Sequence, residues 1–301
     1  MPEWLNCIVG FFYGVPVFFL MSGYLIWMSV GRSANFGQYC KKRFWRIFPE
    51  LWAAVLIEIL VILVLYSGDI EWGKLGLFAI TQGTVFQFWT PDFLRAYGCG
   101  CPNGALWTIC VLIQFYLLAF FAYRFLKNKS LFTWLSCIAI FVVIAYCTPI
   151  IQLRLPEIIG KLYGQTFMPY FWMFLIGAFF SEHKDTLLPI CIKYWYIFVL
   201  LTIAVMVSHL DIQLGMYGFL QSVILFCGLM GLAYTVPWLN VKTDISYGVY
   251  IYHMTFVNAF IVLGFTGKPL YLLLVTIMTF AISYISTKTI GTLSQRMKRK
   301  I

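Results

Sequence analysis

Nine stretches of this chain reach or approach the roughly 20 apolar residues that carry an α-helix across the hydrocarbon core of a bilayer. They are residues 8–30, 48–67, 105–126, 131–148, 166–181, 192–209, 214–236, 245–265 and 269–290. A further run, 75–89, is shorter and carries Gln82, Gly83, Thr84 and Gln87, so it reads as a span, an interfacial piece or a re-entrant one. No water-soluble fold of 301 residues buries a sequence that is 62% hydrophobic and 11% charged, with a mean hydropathy of +0.86. Disorder needs the opposite composition. The expected fold class is therefore an all-α polytopic integral membrane protein of about nine transmembrane helices. The longest loop, roughly 68–104, is too short to fold alone, so 1–301 is read as one membrane domain ending in a basic tail, 291–301.

The net charge of +10 does not point to nucleic acid, because the basic residues sit in short gaps between apolar runs rather than on a soluble basic face. It is topological information. If 75–89 does not cross and the N-terminus is outside, sixteen Lys and Arg residues fall on the cytoplasmic side and five outside. If it does cross, the tail Arg296, Lys298, Arg299, Lys300 lies outside, against the bias that orients helices during insertion. The expected arrangement is N-terminus out and C-terminus cytoplasmic in a plasma (inner) membrane. The nine cysteines form no CxxC pair and do not interleave with histidines, so neither a metal site nor a redox motif is expected.

Four blocks carry a resemblance. The first span reads Gly14-Val15-Pro16-Val17-Phe18-Phe19-Leu20-Met21-Ser22-Gly23-Tyr24-Leu25-Ile26, and the loop after it Lys42-Arg43-Phe44-Trp45-Arg46-Ile47-Phe48-Pro49. Further on come Leu106-Trp107-Thr108-Ile109-Cys110-Val111-Leu112-Ile113-Gln114-Phe115-Tyr116 and Ser246-Tyr247-Gly248-Val249-Tyr250-Ile251-Tyr252-His253. In this order they resemble the acyltransferase-3 family of integral-membrane O-acyltransferases, with its GV-x-x-FF-x-x-SG-x-LI helix, R-x-x-R-I-x-P loop, LW-S-L-S-V-E-E-Q-F-Y helix and SYS-x-YL-x-H helix. Pro16 stands where many members have Asp, and Leu112 and Ile113 where many have paired glutamates. The resemblance implies a preceding helix bearing an Arg and a His that serves as catalytic base, which would make ten helices with both termini cytoplasmic; on that reading the chain is truncated at its N-terminus.

Each candidate residue has a bland reading beside a functional one. Lys42, Arg43 and Arg46 read as positive-inside anchors. They also read as a clamp for an anionic cytosolic ligand, since guanidinium groups three apart share one side of a helical turn and hold phosphates bidentately. With the resemblance, that ligand is acyl-CoA. Glu58 and His253 are ionisable groups near mid-membrane, costly there and so functional candidates, expected as catalytic or acceptor-orienting groups; the bland alternative is bridging between helices. His183 and His209 read as solvated loop residues. Trp107 and Tyr116 belong to a matched block and are candidate acceptor-binding faces, because sugars stack on aromatic rings, or else helix-packing groups.

The resulting expectation is an enzyme that moves an acyl group, most simply acetyl from acetyl-CoA, to a hydroxyl of a cell-surface polysaccharide or its lipid-linked precursor. The partners expected are acyl-CoA, a glycan acceptor and membrane lipid, with no bound cofactor and no nucleic acid. A transporter or glycan-export component, and a truncated inactive relative, stay open as alternatives.

Overall fold

The computed structural model describes residues 10–11, 13–236 and 243–299. Residues 8, 9 and 12 of the first apolar stretch and the last two of the basic tail lie outside that description. The helices are α1 Gly14–Gly31, α2 Phe36–Leu65, α3 Trp72–Gln82, α4 Trp107–Leu126, α5 Leu131–Arg154, α6 Glu157–Tyr163, α7 Phe171–Glu182, α8 Lys184–Ser208, α9 Phe219–Thr235, α10 Ser246–Val262, α11 Pro269–Ser286 and α12 Thr292–Arg299. A two-residue hairpin, β1 Gln213–Leu214 with β2 Tyr217–Gly218, precedes α9. Each apolar stretch thus carries a helix. Six helical segments among the described residues are long and apolar enough to cross a bilayer, and α7 and α9 are shorter apolar helices; α10, 17 residues long, carries more polar side chains and falls in neither group. The chain forms an all-α membrane fold.

The chain divides into two compact units. Unit 1 comprises Met1–Ala34 and Gln114–Val241. Its centre is the crossing of α1 and α7, where Gly23 meets the Phe174 carbonyl and Gly177 meets the Leu20 carbonyl so closely that a methyl group at either would overlap backbone. In lipid, where burial drives helices together only weakly, such close approach and the dispersion it permits hold a crossing together. Phe19, Phe115 and Phe174 stack around it at 5.1 to 5.2 Å. Glu182 ends α7 by accepting from Trp27 Nε1 at 2.7 Å and from the Asn128 N–H at 3.2 Å.

Unit 2 comprises Asn35–Ile113 and Lys242–Ile301. Its longest helix, α2, is capped by Asn35, whose side chain accepts from Gln38 N at 2.8 Å, and runs 30 residues. That is about 45 Å, against a core of about 30 Å, so its first turns stand clear of the hydrocarbon. The run 75–89 does not traverse. Helix α3 has only 11 residues, about 16 Å. It descends beside α2 until the Gly83 carbonyl accepts from Trp52 Nε1 at 2.8 Å, and the chain then climbs back. Ile62, Leu75, Phe78, Leu94 and Tyr97 close a buried core at the far end of α2, and Tyr66 donates to the Phe93 carbonyl at 2.9 Å. The segment is re-entrant. Gln82 and Gln87 are buried against protein at its turn, while Leu77, Ile80 and Phe86 face outward.

Candidate functional site

Of the candidate residues, Lys42, Arg43, Arg46, Glu58, Trp107 and His253 fall in unit 2, at two levels along α2 and α10, and Tyr116, His183 and His209 in unit 1. The first level is the end where α2 begins. Pro49 interrupts α2 and has no N–H, so the carbonyl of Trp45, four residues back, lacks its helical partner. The Ser294 hydroxyl of α12 donates to that carbonyl instead, which docks the C-terminal helix on α2. Arg46 Nη2 reaches Asp244 Oδ2 at 3.0 Å, and the other Asp244 oxygen caps α10 through Ser246 N at 3.1 Å and Ser246 Oγ at 2.6 Å. Burial works against the Asp244 charge, but the Ser246 and Arg46 bonds outweigh it and hold the carboxyl below its usual range. The Tyr247 hydroxyl donates to the Ile47 carbonyl at 3.1 Å. Arg43 lies over the Tyr39 ring, 5.7 Å from its centroid. A cavity of about 200 Å³ opens here, lined by Arg46, Glu50, Asp244, Lys288, Gly291 and Lys298 among others.

The second level lies deeper. Residues 98–108 run down along α10, held by side-chain amides: Asn258 Oδ1 accepts from Cys99 N at 2.7 Å, while its Nδ2 donates to the carbonyls of Cys101 at 3.0 Å and Pro102 at 2.8 Å. Asn103 Nδ2 donates to the Ile251 carbonyl at 2.8 Å. Tyr250 donates to the Ala105 carbonyl at 2.7 Å and its hydroxyl meets Thr108 Oγ1. Gly98 is required here, with φ +58° and the Asn258 amide where a side chain would begin. Helix α4 consequently starts, at Trp107, level with Tyr250.

His253 is half-buried one turn beyond Tyr250. Its Nδ1 lies 2.7 Å from the Tyr250 carbonyl and 3.2 Å from that of Val249. A carbonyl only accepts, so Nδ1 is the donor here, and Nε2 is the ring nitrogen turned away from these carbonyls. Glu58 is 1% exposed, and neither carboxyl oxygen has a hydrogen-bond partner among the described residues. Measured from the Tyr247–Ile47 contact, Glu58 is about 16 Å along α2 and His253 about 9 Å along α10. Glu58 is therefore level with Asn258 and the loop it holds. No hydrogen bond joins Glu58 to His253 among the described residues.

These two levels hold two of the four blocks that resembled a family and the start of a third, Leu106-Trp107-Thr108, and the comparison with known proteins agrees. The acyltransferase-3 family, described as an acyltransferase domain, matches residues 3–288. The chain belongs to the acyltransferase-3 family. The chain is 26% identical over 289 residues to nodulation protein 10 of Rhizobium leguminosarum bv. viciae, covering 84% of this chain and 74% of that protein. It is 24% identical over 119 residues to the peptidoglycan O-acetyltransferase OatA of Listeria monocytogenes, covering 36% of this chain and 19% of that protein. No solved structure matches it.

Within this acyltransferase the candidate residues are distributed unevenly. Arg46 lines the cavity, and Arg43 and Lys42 precede it on α2. Trp107 and Tyr116 stand nine residues apart on one continuous helix, about half a turn out of phase, so they present opposite faces and no single ring stacks on both. His183 and His209 flank α8; His209 is exposed, as expected, and left-handed at φ +54°, whereas His183 is half-buried, its ring 4.5 Å from that of Phe179 and its Nε2 out of solvent. Sequence reasoning missed Asp244, Asn258, Ser294 and Lys298. Asp244 carried a signal, an acidic residue two before the Ser that opens an apolar helix. The others carried none, because their partners are 150 or more residues away.

Proposed function

We propose that this acyltransferase takes an acyl group, most simply acetyl, from cytosolic acyl-CoA and transfers it to a hydroxyl of a cell-surface polysaccharide or its lipid-linked precursor. Nine spans in a plasma membrane, N-terminus outside and C-terminus cytoplasmic, put the α2 mouth on the cytosolic side. Lys42, Arg43 and Arg46 hold the donor's phosphates there. The acceptor hydroxyl attacks the thioester carbonyl, the thiol leaves, and a positioned base accepts the hydroxyl proton. His253 Nε2 has the lone pair for that role, or for orienting the acceptor. Glu58 lies further out, suited to a hydroxyl-rich ligand, and Trp107 supplies the stacking face; Tyr116, on the other side of α4, is assigned to packing.

The observation that carries this reading is the convergence of two motifs 200 residues apart: the Arg46 segment, a loop by expectation but helical at the start of α2, and the helix bearing His253 are tied at one end by Arg46–Asp244 and Tyr247–Ile47. It is supported by the docking of the basic C-terminal helix at that same end, as the charge bias of the loops requires. The test is transfer of radiolabelled acetyl from acetyl-CoA in membranes carrying the full chain. Arg43→Ala with Arg46→Ala should raise the donor concentration for half-maximal transfer with insertion intact. Unchanged donor dependence would refute the clamp, and transport of a glycan without any donor requirement would favour an exporter instead.

A further inference from the structure

The cavity beside Arg46 is built from more than the arginine-bearing turns of α2. A π-helical turn, Thr287–Gly291, separates α11 from α12. Such turns insert one residue into a helix and are common at functional sites. Here the turn brings Gly291 against Glu50, whose carboxyl occupies the space a side chain at 291 would need. Beyond it, the Ser294 bond to the Trp45 carbonyl fixes the azimuth of α12, so that Lys298, one turn on, faces the same cavity. Lys298 is within electrostatic reach of both Arg46 and Arg43, which repel it, and of Glu50, which attracts it.

Arg46, Lys288 and Lys298 thus line one cavity with two carboxylates, Glu50 and Asp244, and Arg43 adds a fourth cation nearby. Asp244 is engaged on Arg46 through a single oxygen, and 45% of the Arg46 side chain is exposed. Cations held together repel, and a dianion placed among them turns the repulsion into attraction. At about 200 Å³ the cavity falls below the roughly 300–1,000 Å³ of pockets that enclose drug-sized ligands. It suits a single phosphate group rather than a whole nucleotide.

We infer that the cavity between the start of α2 and the C-terminal helix binds a terminal phosphomonoester, with Arg46 and Lys298 as its two prongs and Asp244 as a latch that the phosphate displaces from Arg46. This rests on the acyl-CoA reading above, and gives the donor's 3′-phosphate its own site. A lipid phosphomonoester headgroup offers the same chemistry from the membrane side.

The test uses the full chain in phosphatidylcholine nanodiscs, titrated with coenzyme A and with 3′-dephospho-coenzyme A. Lys298→Ala and Lys298→Gln should each weaken coenzyme A binding about tenfold, the worth of one charge-assisted bond, and leave dephospho-coenzyme A unaffected. Asp244→Asn should tighten coenzyme A binding several-fold, since Asn still caps α10 but no longer competes for Arg46. If wild type binds coenzyme A and neither position changes it, the phosphate site is overturned while the donor reading stands. If wild type binds no coenzyme A but retains phosphatidic acid in a Lys298-dependent manner by native mass spectrometry, the phosphate site stands and the donor reading fails. If it binds neither, both fall. Monodisperse elution of each variant shows that it has folded.

Discussion

Asn258 is fully buried and holds the descending loop with one accepted and two donated hydrogen bonds, so Asn258→Ala tests how the start of α4 is positioned. Hydrogen bonds between membrane segments average about 0.6 kcal/mol each, and buried bonds in soluble proteins about 1 kcal/mol. Three of them amount to about 2–3 kcal/mol, or about 30- to 150-fold in the equilibrium between closed and open loop, at 1.4 kcal/mol per tenfold. Hydrogen–deuterium exchange on the full chain in nanodiscs reads this directly, through peptides covering residues 97–106. Exchange there should accelerate by that factor, with the peptides of unit 1 unchanged. Asn258→Leu, which refills most of the volume without bonding, should accelerate exchange almost as much. Wild-type protection in Asn258→Leu would show that side-chain volume, not the three bonds, holds the loop, and the reasoning would fail.

His253→Ala should lower the rate of acyl transfer by about 10²–10⁴, the usual contribution of a positioned base, with donor binding unchanged; a rate within a fewfold of wild type removes His253 from the chemistry. The Asp244 carboxyl is held below its ordinary range, so its stabilisation is complete above about pH 4 and is lost as pH falls through the lowered value. Melting curves should therefore be insensitive to Asp244 between pH 5 and 8, and the acid-side loss should be smaller in Asp244→Asn; equal acid limbs would contradict the shift. Pro49→Ala restores an N–H that competes with Ser294 for the Trp45 carbonyl, so the C-terminal helix should become more accessible to protease. Unchanged cleavage would mean that Ser294 is not what docks it.

Much of the fold was legible in the sequence because hydrophobic length is a local property. Each of the nine apolar stretches carries a helix, whereas the polar residues of 75–89 left that run open between a span, an interfacial piece and a re-entrant one, and only the loop charges favoured no crossing. The Arg43 and Arg46 cluster was legible because charge next to an apolar run is rare and costly. Asn258 and Ser294, by contrast, look like ordinary polar residues in helices, and their roles exist only because the Cys99–Pro102 backbone and the proline-freed Trp45 carbonyl come to meet them. Trp107 and Tyr116 look alike in a matched block, yet the continuity of α4 turns them to opposite sides.

The sequence by itself determined that this chain lives in a membrane as helices and belongs among acyltransferases, because apolar length, basic gaps and four ordered blocks are all written along the chain. Only the tertiary structure decided that α4 begins beside Tyr250, that Nδ1 of His253 is turned onto backbone carbonyls, that Glu58 stands a level further along α2, and that Lys298 joins Arg46. Each of these depends on which distant carbonyl or amide satisfies a buried polar group. Local periodicity holds no record of that choice, since it is made between residues far apart in the chain once the helices have packed.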